Sequence, residues 1–460
     1  MNGSAVGCEV VKTPGTGERM IRAATVVGTL SVFVVLATVL KELLIARAFG
    51  RGDAVDAFLI AYLPTSFLAE LLAGTFNLAL IPTFIRVRET EGKEAAQALY
   101  TNSAAFCSGV MMGAVVLLGW LAPFYLPLMG SGFAPLKLQL TRHLLYILLL
   151  FVVLRMMALN WSAILNAGER FALPAITPIV TPLVVVAFVV VLRDAWGIYA
   201  LAIGTVVGSG IEAMLLALGV EASGIRIRPR WSGMDDHMRR VLREYRIMLA
   251  GQALTNSATV VDQSMAAMLK PGSVAALGYG KKVVSGATGI GAVAVGTAAL
   301  PFFSQMVAKK QWQDCRRTLK NYGGLIFLAT VPVAGGLILF SKPLIKVLYQ
   351  RGAFTAADTS VVSSVQSFYS FQIPFYLLNI FSCRFLSSLR RNDLLAYGMA
   401  ALLLLDIVLN LIFMRFWGVA GIALSTSGVV AISAAYTGFW ALKLTHPEKH
   451  RSTDDELVQN

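Results

Sequence analysis

Twelve apolar segments succeed one another along the chain, at about 23–48, 54–84, 98–128, 139–165, 172–192, 196–219, 246–269, 274–306, 322–341, 361–384, 394–414 and 418–442. A helix needs roughly 20 apolar residues to cross a bilayer, and each segment reaches that length. The fold expected is all-α and integral to a membrane, with twelve transmembrane helices. Composition agrees: 57% of residues are hydrophobic and 14% charged, where a soluble domain carries about 25% charge. Residues 1–21 are polar and lack the apolar core and small-residue cleavage site of a signal peptide, so the first helix is expected to stay in the protein.

The segments are duplicated. Residues 196–205, Trp-Gly-Ile-Tyr-Ala-Leu-Ala-Ile-Gly-Thr, answer residues 417–426, Trp-Gly-Val-Ala-Gly-Ile-Ala-Leu-Ser-Thr, at an offset of 221. Ala79-Leu80-Ile81-Pro82-Thr83-Phe84 answers Ala298-Ala299-Leu300-Pro301-Phe302-Phe303 at 219. Six crossings return the chain to the starting face, so the repeats are parallel and related by an axis along the membrane normal. Two six-helix lobes, 22–219 and 246–442, are expected around a central cavity, joined by a basic cytoplasmic linker at 220–245. That linker could form a short amphipathic helix from Asp235 to Arg246. A cytoplasmic tail at 1–21 and another at 443–460 flank the lobes, the residues from about 446 to 460 being polar and expected to be unstructured. Duplicated bundles are the usual architecture of secondary transporters, with the binding site where the repeats meet.

Orientation follows from Lys and Arg in the loops. Twenty-five fall on the side that holds the termini and eight on the other, which places both termini in the cytoplasm. The net charge of +14 is then a property of inner loops beside anionic lipid rather than a nucleic-acid surface. Cys8, Cys107, Cys315 and Cys383 have no metal spacing, and His143, His237, His446 and His450 form no paired cluster. Gly278-Tyr279-Gly280-Lys281-Lys282 lacks the spacing and the Ser/Thr of a nucleotide-binding loop. No metal, cofactor or ATP hydrolysis is expected.

Prolines interrupt several helices, Pro64 and Pro82 in the second, Pro174, Pro178 and Pro182 in the fifth and Pro301 in the eighth, and Gly286 to Ala292 is rich in small residues. Helices two and eight are equivalent by the repeat, which makes them a candidate moving pair. Ionisable residues inside spans cost about 2.5–3.5 kcal/mol each on insertion scales and usually face a cavity. Here they are Lys41, Glu42, Glu70, Arg155, Glu212, Asp262, Lys281, Lys282 and Asp406. Lys41, Lys281 and Lys282 lie close enough to helix ends to snorkel, Lys281 being the more peripheral of its pair. Glu70, Arg155 and Asp406 lie too deep for that and could simply pair between helices. Taken together, cations between two lobes suit an anionic head group, and the carboxylates could pair with them or carry a coupling proton or sodium ion.

Ala46-Arg47-Ala48-Phe49-Gly50 with Asp56-Ala57-Phe58, Ile164-Leu165-Asn166 with Arg170-Phe171 and Pro174-Ala175, Gly296-Thr297 through Pro301, and Gly352-Ala353-Phe354-Thr355 occur in one order. That order and spacing resemble the MurJ/MviN family, flippases of lipid II, the undecaprenyl-pyrophosphate-linked peptidoglycan precursor, over residues from about 30 to 442. The resemblance implies arginines in helices one, two and eight that contact the pyrophosphate. Here they fall on Lys41, on Leu68 and Ala69, and on Lys282, with no charged counterpart near Val35. Lysine is a point charge and not a bidentate fork. The family also commonly has two further C-terminal helices, forming a groove for the lipid tail, beyond the twelve counted here.

The candidate substrate-binding residues are Lys41, Lys282, Asp56, Glu70 and Arg155, and the candidate coupling carboxylates are Glu42, Asp262 and Asp406. The implied function is flipping of a polyprenyl-pyrophosphate-linked glycan across the bacterial inner membrane by alternating access, by a non-enzymatic monomer. The cargo is lipid II or, alternatively, an exopolysaccharide or O-antigen unit. A cation-coupled drug exporter of the same superfamily is a further alternative. A membrane glycan polymerase or ligase would need catalytic outer loops, and those at 129–138 and 342–360 are short and lack paired carboxylates.

Overall fold

The computed structural model describes residues 16–445 except 226 and 390, with the side chains of 16–24, 297, 298 and 392 also outside the description. The tails expected at the two ends therefore lie mostly outside the described residues. Thirteen helices make up the described regular structure: α1 Thr16–Phe49, α2 Asp53–Thr90, α3 Lys93–Met129, α4 Pro135–Ala167, α5 Ala172–Trp196, α6 Tyr199–Glu221, α7 Asp236–Ala267, α8 Ser273–Ala308, α9 Trp312–Leu339, α10 Ser341–Tyr349, α11 as Ala356–Ser370 and Gln372–Ser388, α12 Asn392–Trp417 and α13 Val419–Leu444. Ten of them are long and apolar enough to cross a membrane. Of the remaining helices, α11 buries Val362, Gln366, Tyr369 and Ser370 against α8 and α13, and α7 carries arginines in its first turns. The short α10, not anticipated from sequence, lies in the 342–360 loop with Ile345 and Tyr349 turned inward.

The duplication is visible in the packing. In the first lobe α1 packs on α5, α2 on α4, α4 on α6 and α5 on α6; in the second α7 packs on α12, α8 on α11, α11 on α13 and α12 on α13. The repeated Trp-Gly turns share one backbone geometry, φ 54° and ψ −133° at Gly197 and φ 56° and ψ −134° at Gly418. That region is open essentially to glycine alone, which accounts for the glycine at both copies.

The expected linker helix is not separate: α7 runs unbroken from Asp236 through 246 to Ala267. Asp235 caps it, its carboxylate accepting from the Met238 N–H at 2.7 Å, and no Gly or Pro interrupts it before Gly251. Met238, Val241 and Tyr245 bury one face against α2 and α3, with Tyr245 edge-on to Phe76 at 5.4 Å. Helix two bends at a single π turn, Glu70–Gly74, between its two prolines, and helix five at a 3-10 turn, Thr177–Ile179. Pro301 sits inside α8 without breaking it.

One buried core spans both lobes at the end that holds Gly50, Gly272 and Gly352, joining Ile45, Ile60 and Leu145 to Val274, Phe354 and Val365. At the opposite end the cores are separate: Phe76, Phe84, Tyr100 and Tyr245 form one, Phe303, Phe381 and Phe385 the other. The lobes are thus joined at one face and divided at the face carrying the Arg- and Lys-rich loops. Along the divided end α1 leaves Val32, Phe33, Val35 and Leu36 exposed, and α8 leaves Ile290 and Val293 exposed.

Candidate functional site

The intramembrane charges sort into three groups and a clasp. The first bridges the lobes. Lys282 Nζ on α8 donates to Glu42 Oε1 on α1 at 3.1 Å, and Lys41 Nζ lies 3.4 Å from the same oxygen. The Lys282 side chain is 50% exposed and that of Glu42 18%, so the lysine looks into the space between the lobes.

The second group belongs to the first lobe. Arg155 on α4 holds Glu212 Oε1 on α6 with one guanidinium nitrogen at 3.2 Å and Glu70 Oε1 with the other at 3.3 Å. The π turn sets Glu70, and Gly74 leaves room for it, since a Cβ there would come within 3.1 Å of Glu70 Oε2. Glu212 is buried, and its second oxygen accepts from Thr181 Oγ1 at 2.8 Å. Tyr62 stands between the two groups, within reach of the charges of Arg155, Lys282, Glu70 and Glu42, and packs on Phe58 and Phe151. Three cations and three carboxylates make the six charges formally neutral.

The third group lies in the second lobe, apart from the others. Asp262 on α7 accepts from Asn410 Nδ2 at 2.9 Å and Thr426 Oγ1 at 3.1 Å. Asp406 on α12 lies near enough for the two carboxyls to act on each other, and its Oδ1 accepts from Ser425 Oγ at 3.3 Å. Asp406 Oδ2 and Asn410 Oδ1 are buried without a donor. The charge of Lys281 is felt at both of these acids. One residue along a helix is a turn of about 100°, so α8 presents Lys282 to one group and Lys281 to another.

Asp56 is placed away from all three. It is buried at the joined end, where its carboxylate accepts from the Gly272 and Ala275 N–H groups at 2.7 and 2.9 Å and from Lys137 Nζ at 3.1 Å. It therefore caps α8 from the other lobe, and every contact it makes is internal. Arg51 to Asp358 at 3.0 Å and the Ala353 N–H to Arg47 O at 2.9 Å complete the clasp. Sequence reasoning did not select Glu212, Thr181, Tyr62, Asn410 or Thr426 as site residues. For Glu212 a signal existed: Gly204 and Gly208 precede it at helical spacing, and the structure presses that face onto α5 near Thr181.

A family model described as lipid II flippase MurJ matches residues 45–452. The chain is similar to a probable lipid II flippase MurJ of Vibrio cholerae serotype O1, 24% identical over 431 residues that cover 89% of this chain and 80% of that protein. Among solved structures it is similar to a lipid II flippase MurJ in an inward closed conformation, with a TM-score of 0.78, 23% identity, and coverage of 90% of this chain and 87% of that one. It is also similar to the inward-facing conformation of a multidrug resistance MATE family transporter of the MOP superfamily, with a TM-score of 0.73 at 12% identity over 92% of this chain and 98% of the other.

Proposed function

The chain belongs to the lipid II flippase MurJ family, and from that premise we propose that it moves an undecaprenyl-pyrophosphate-linked glycan of the lipid II type across the bacterial inner membrane for peptidoglycan synthesis. The observation that carries this reading is the Lys41–Glu42–Lys282 group, which joins the lobes at a solvent-accessible point within the membrane spans. Both termini are cytoplasmic in this reading, so the divided face opens to the cytoplasm. The diphosphate enters there and takes Lys41 and Lys282 from Glu42, with Arg155 as a third cation. The lipid tail stays in the bilayer beside the exposed apolar residues of α1 and α8. Closure of the divided face and release of the Asp56 clasp then expose the site to the other side. The protein works as a monomer.

Coupling is assigned to the second lobe. Neighbouring carboxyls and oxygens without donors are what a proton or a hard monovalent cation satisfies. Such an ion at Asp262, Asp406, Asn410 and Thr426 would alter the pull on Lys281, and α8 would carry the change to Lys282. Among the described residues no group of three His, Cys, Asp or Glu is gathered, which suits a monovalent ion better than a divalent one.

The test is replacement of a depleted lipid II flippase by this chain in living bacteria, scored by labelled lipid II reaching the outer face. Restoration by the wild type and its loss in Lys282→Ala support the proposal. Failure to restore, with transport of a lipid-linked exopolysaccharide unit into vesicles, would transfer the assignment to that cargo. The lysines at 41 and 282, and the cation on α4 rather than α2, are the features that would favour it.

A further inference from the structure

The first turns of α7 line a cleft of about 520 Å³ with Met234, Asp236, Arg239, Arg240, Leu242, Arg243 and Arg246. The opposite face of this segment is fixed on the first lobe through Met238, Val241 and Tyr245, so the arginines are held in place rather than trailing on a loop. Asp236 comes no closer than 3.7 Å to Arg239 and is 95% exposed. Among the described residues Arg240, Arg243 and Arg246 form no ion pair, and Glu244, one turn beyond Arg240, joins none of them. Arginine pairs at 239/243, 240/243 and 243/246 stand at spacings where like charges each destabilise a helix by about 0.2–0.5 kcal/mol. Local charge therefore works against the helix unless an anion settles among the guanidiniums.

The surroundings identify the kind of anion. Trp231 and Met234 are exposed just before the arginines, and Ile247 and Met248 just after them, where α7 passes into its apolar half. A guanidinium cluster bounded by exposed apolar side chains fits a phosphate attached to a hydrocarbon chain, because Arg forks bind phosphate oxygens bidentately and the flanks accept the chain. We propose that this cleft binds the phosphate headgroup of an amphiphile, a resident anionic phospholipid or a polyprenyl diphosphate on its way to the central site. The proposal rests on the family-based reading only for the side of the membrane; its test uses binding and not transport, so either can fail alone.

The full-length protein in neutral detergent is titrated with phosphatidylglycerol, with farnesyl diphosphate and with inorganic diphosphate, and bound ligand is counted by native mass spectrometry. Arg240→Gln/Arg243→Gln/Arg246→Gln is compared with Arg316→Gln/Arg317→Gln/Lys320→Gln, which removes equal charge at the start of α9. We expect the wild type and the α9 variant to retain an amphiphile and the α7 variant to bind it at least tenfold more weakly, with melting temperature in detergent not lowered. Preference for phosphatidylglycerol assigns a resident lipid, and preference for farnesyl diphosphate assigns a cargo waypoint. Equal losses in both triple variants would reduce the cleft to diffuse surface charge, and binding of inorganic diphosphate as tightly as either amphiphile would overturn the lipid assignment.

Discussion

Glu42→Gln isolates the step in which cargo competes with the protein's own carboxylate. Glu42 Oε1 serves Lys41 at 3.4 Å and Lys282 at 3.1 Å, and a diphosphate must break both contacts before it holds the lysines. Glutamine keeps the shape and one acceptor oxygen but removes the charge. An exposed ion pair contributes about 0.2–1 kcal/mol; the 50% exposure of Lys282 sets its pair near the lower half of that range and the 25% exposure of Lys41 sets the other higher. Removing both gives about 1–1.5 kcal/mol, or roughly a five- to twelvefold gain in affinity. The assay is equilibrium binding of a fluorescent polyprenyl-diphosphate-linked glycan to the protein in nanodiscs. Lys282→Ala should weaken binding in the wild type and weaken it more in the Glu42→Gln background, because there the lysine is no longer neutralised before cargo arrives. If Glu42→Gln binds cargo more weakly than the wild type, Glu42 is organising the lysines rather than competing for them, and the exchange reasoning fails.

Glu212→Gln should release one anchor of Arg155 at a stability cost of about 1–3 kcal/mol, read as a lower melting temperature, and should slow flipping; Arg155→Lys should not restore it, since one ammonium does not span Glu212 and Glu70 as a planar fork does. Asp56→Ala should remove the cap on α8 and strand Lys137, loosening the joined face: a cysteine at Ala353 should become several-fold more reactive to a membrane-impermeant thiol reagent, and unchanged reactivity would deny Asp56 the clasp role. Asp406→Asn should abolish the dependence of transport on an imposed proton or sodium gradient while leaving nanodisc binding of cargo within about twofold. Lys281→Ala should disturb that same ion dependence; a variant indistinguishable from wild type would remove α8 as the link between the second lobe and Lys282.

The helical class and the repeat were legible because each depends on features a sequence carries directly. Apolar length gives the spans, and the Trp-Gly echo at 196–197 and 417–418 marks turns that share a glycine-only geometry. The family resemblance was legible too, since the family model covers the same stretch of chain. The start of the seventh helix was not legible because hydropathy falls where α7 carries its arginines, although nothing in Asp236–Ala267 stops the helix there. Hydropathy measures transfer into lipid, and this part of α7 lies against protein on one face and a basic cleft on the other.

The grouping of the charges was not legible, and the reason is geometric. A span shows that a charge lies within the membrane but not which way it points, because one residue changes its direction by about 100°. Lys281 and Lys282 are adjacent and chemically identical, yet one acts on Asp262 and Asp406 and the other binds Glu42. Asp56 and Glu42 are both acids of the first lobe; the former caps α8 at the joined end, and the latter meets Lys282 where the lobes face each other. The duplication therefore supplies the same scaffold twice but not the same chemistry. In the first lobe a buried carboxylate, Glu212, holds an arginine between helices; in the second, buried carboxyls gather with Asn410 and Thr426, and among the described residues no ion pair neutralises them. In the proposed mechanism the first lobe presents positive charge to an anionic head group and the second keeps oxygen ligands for a coupling cation. On this reading the helix that touches both, α8, is where a substitution should uncouple them without unfolding either.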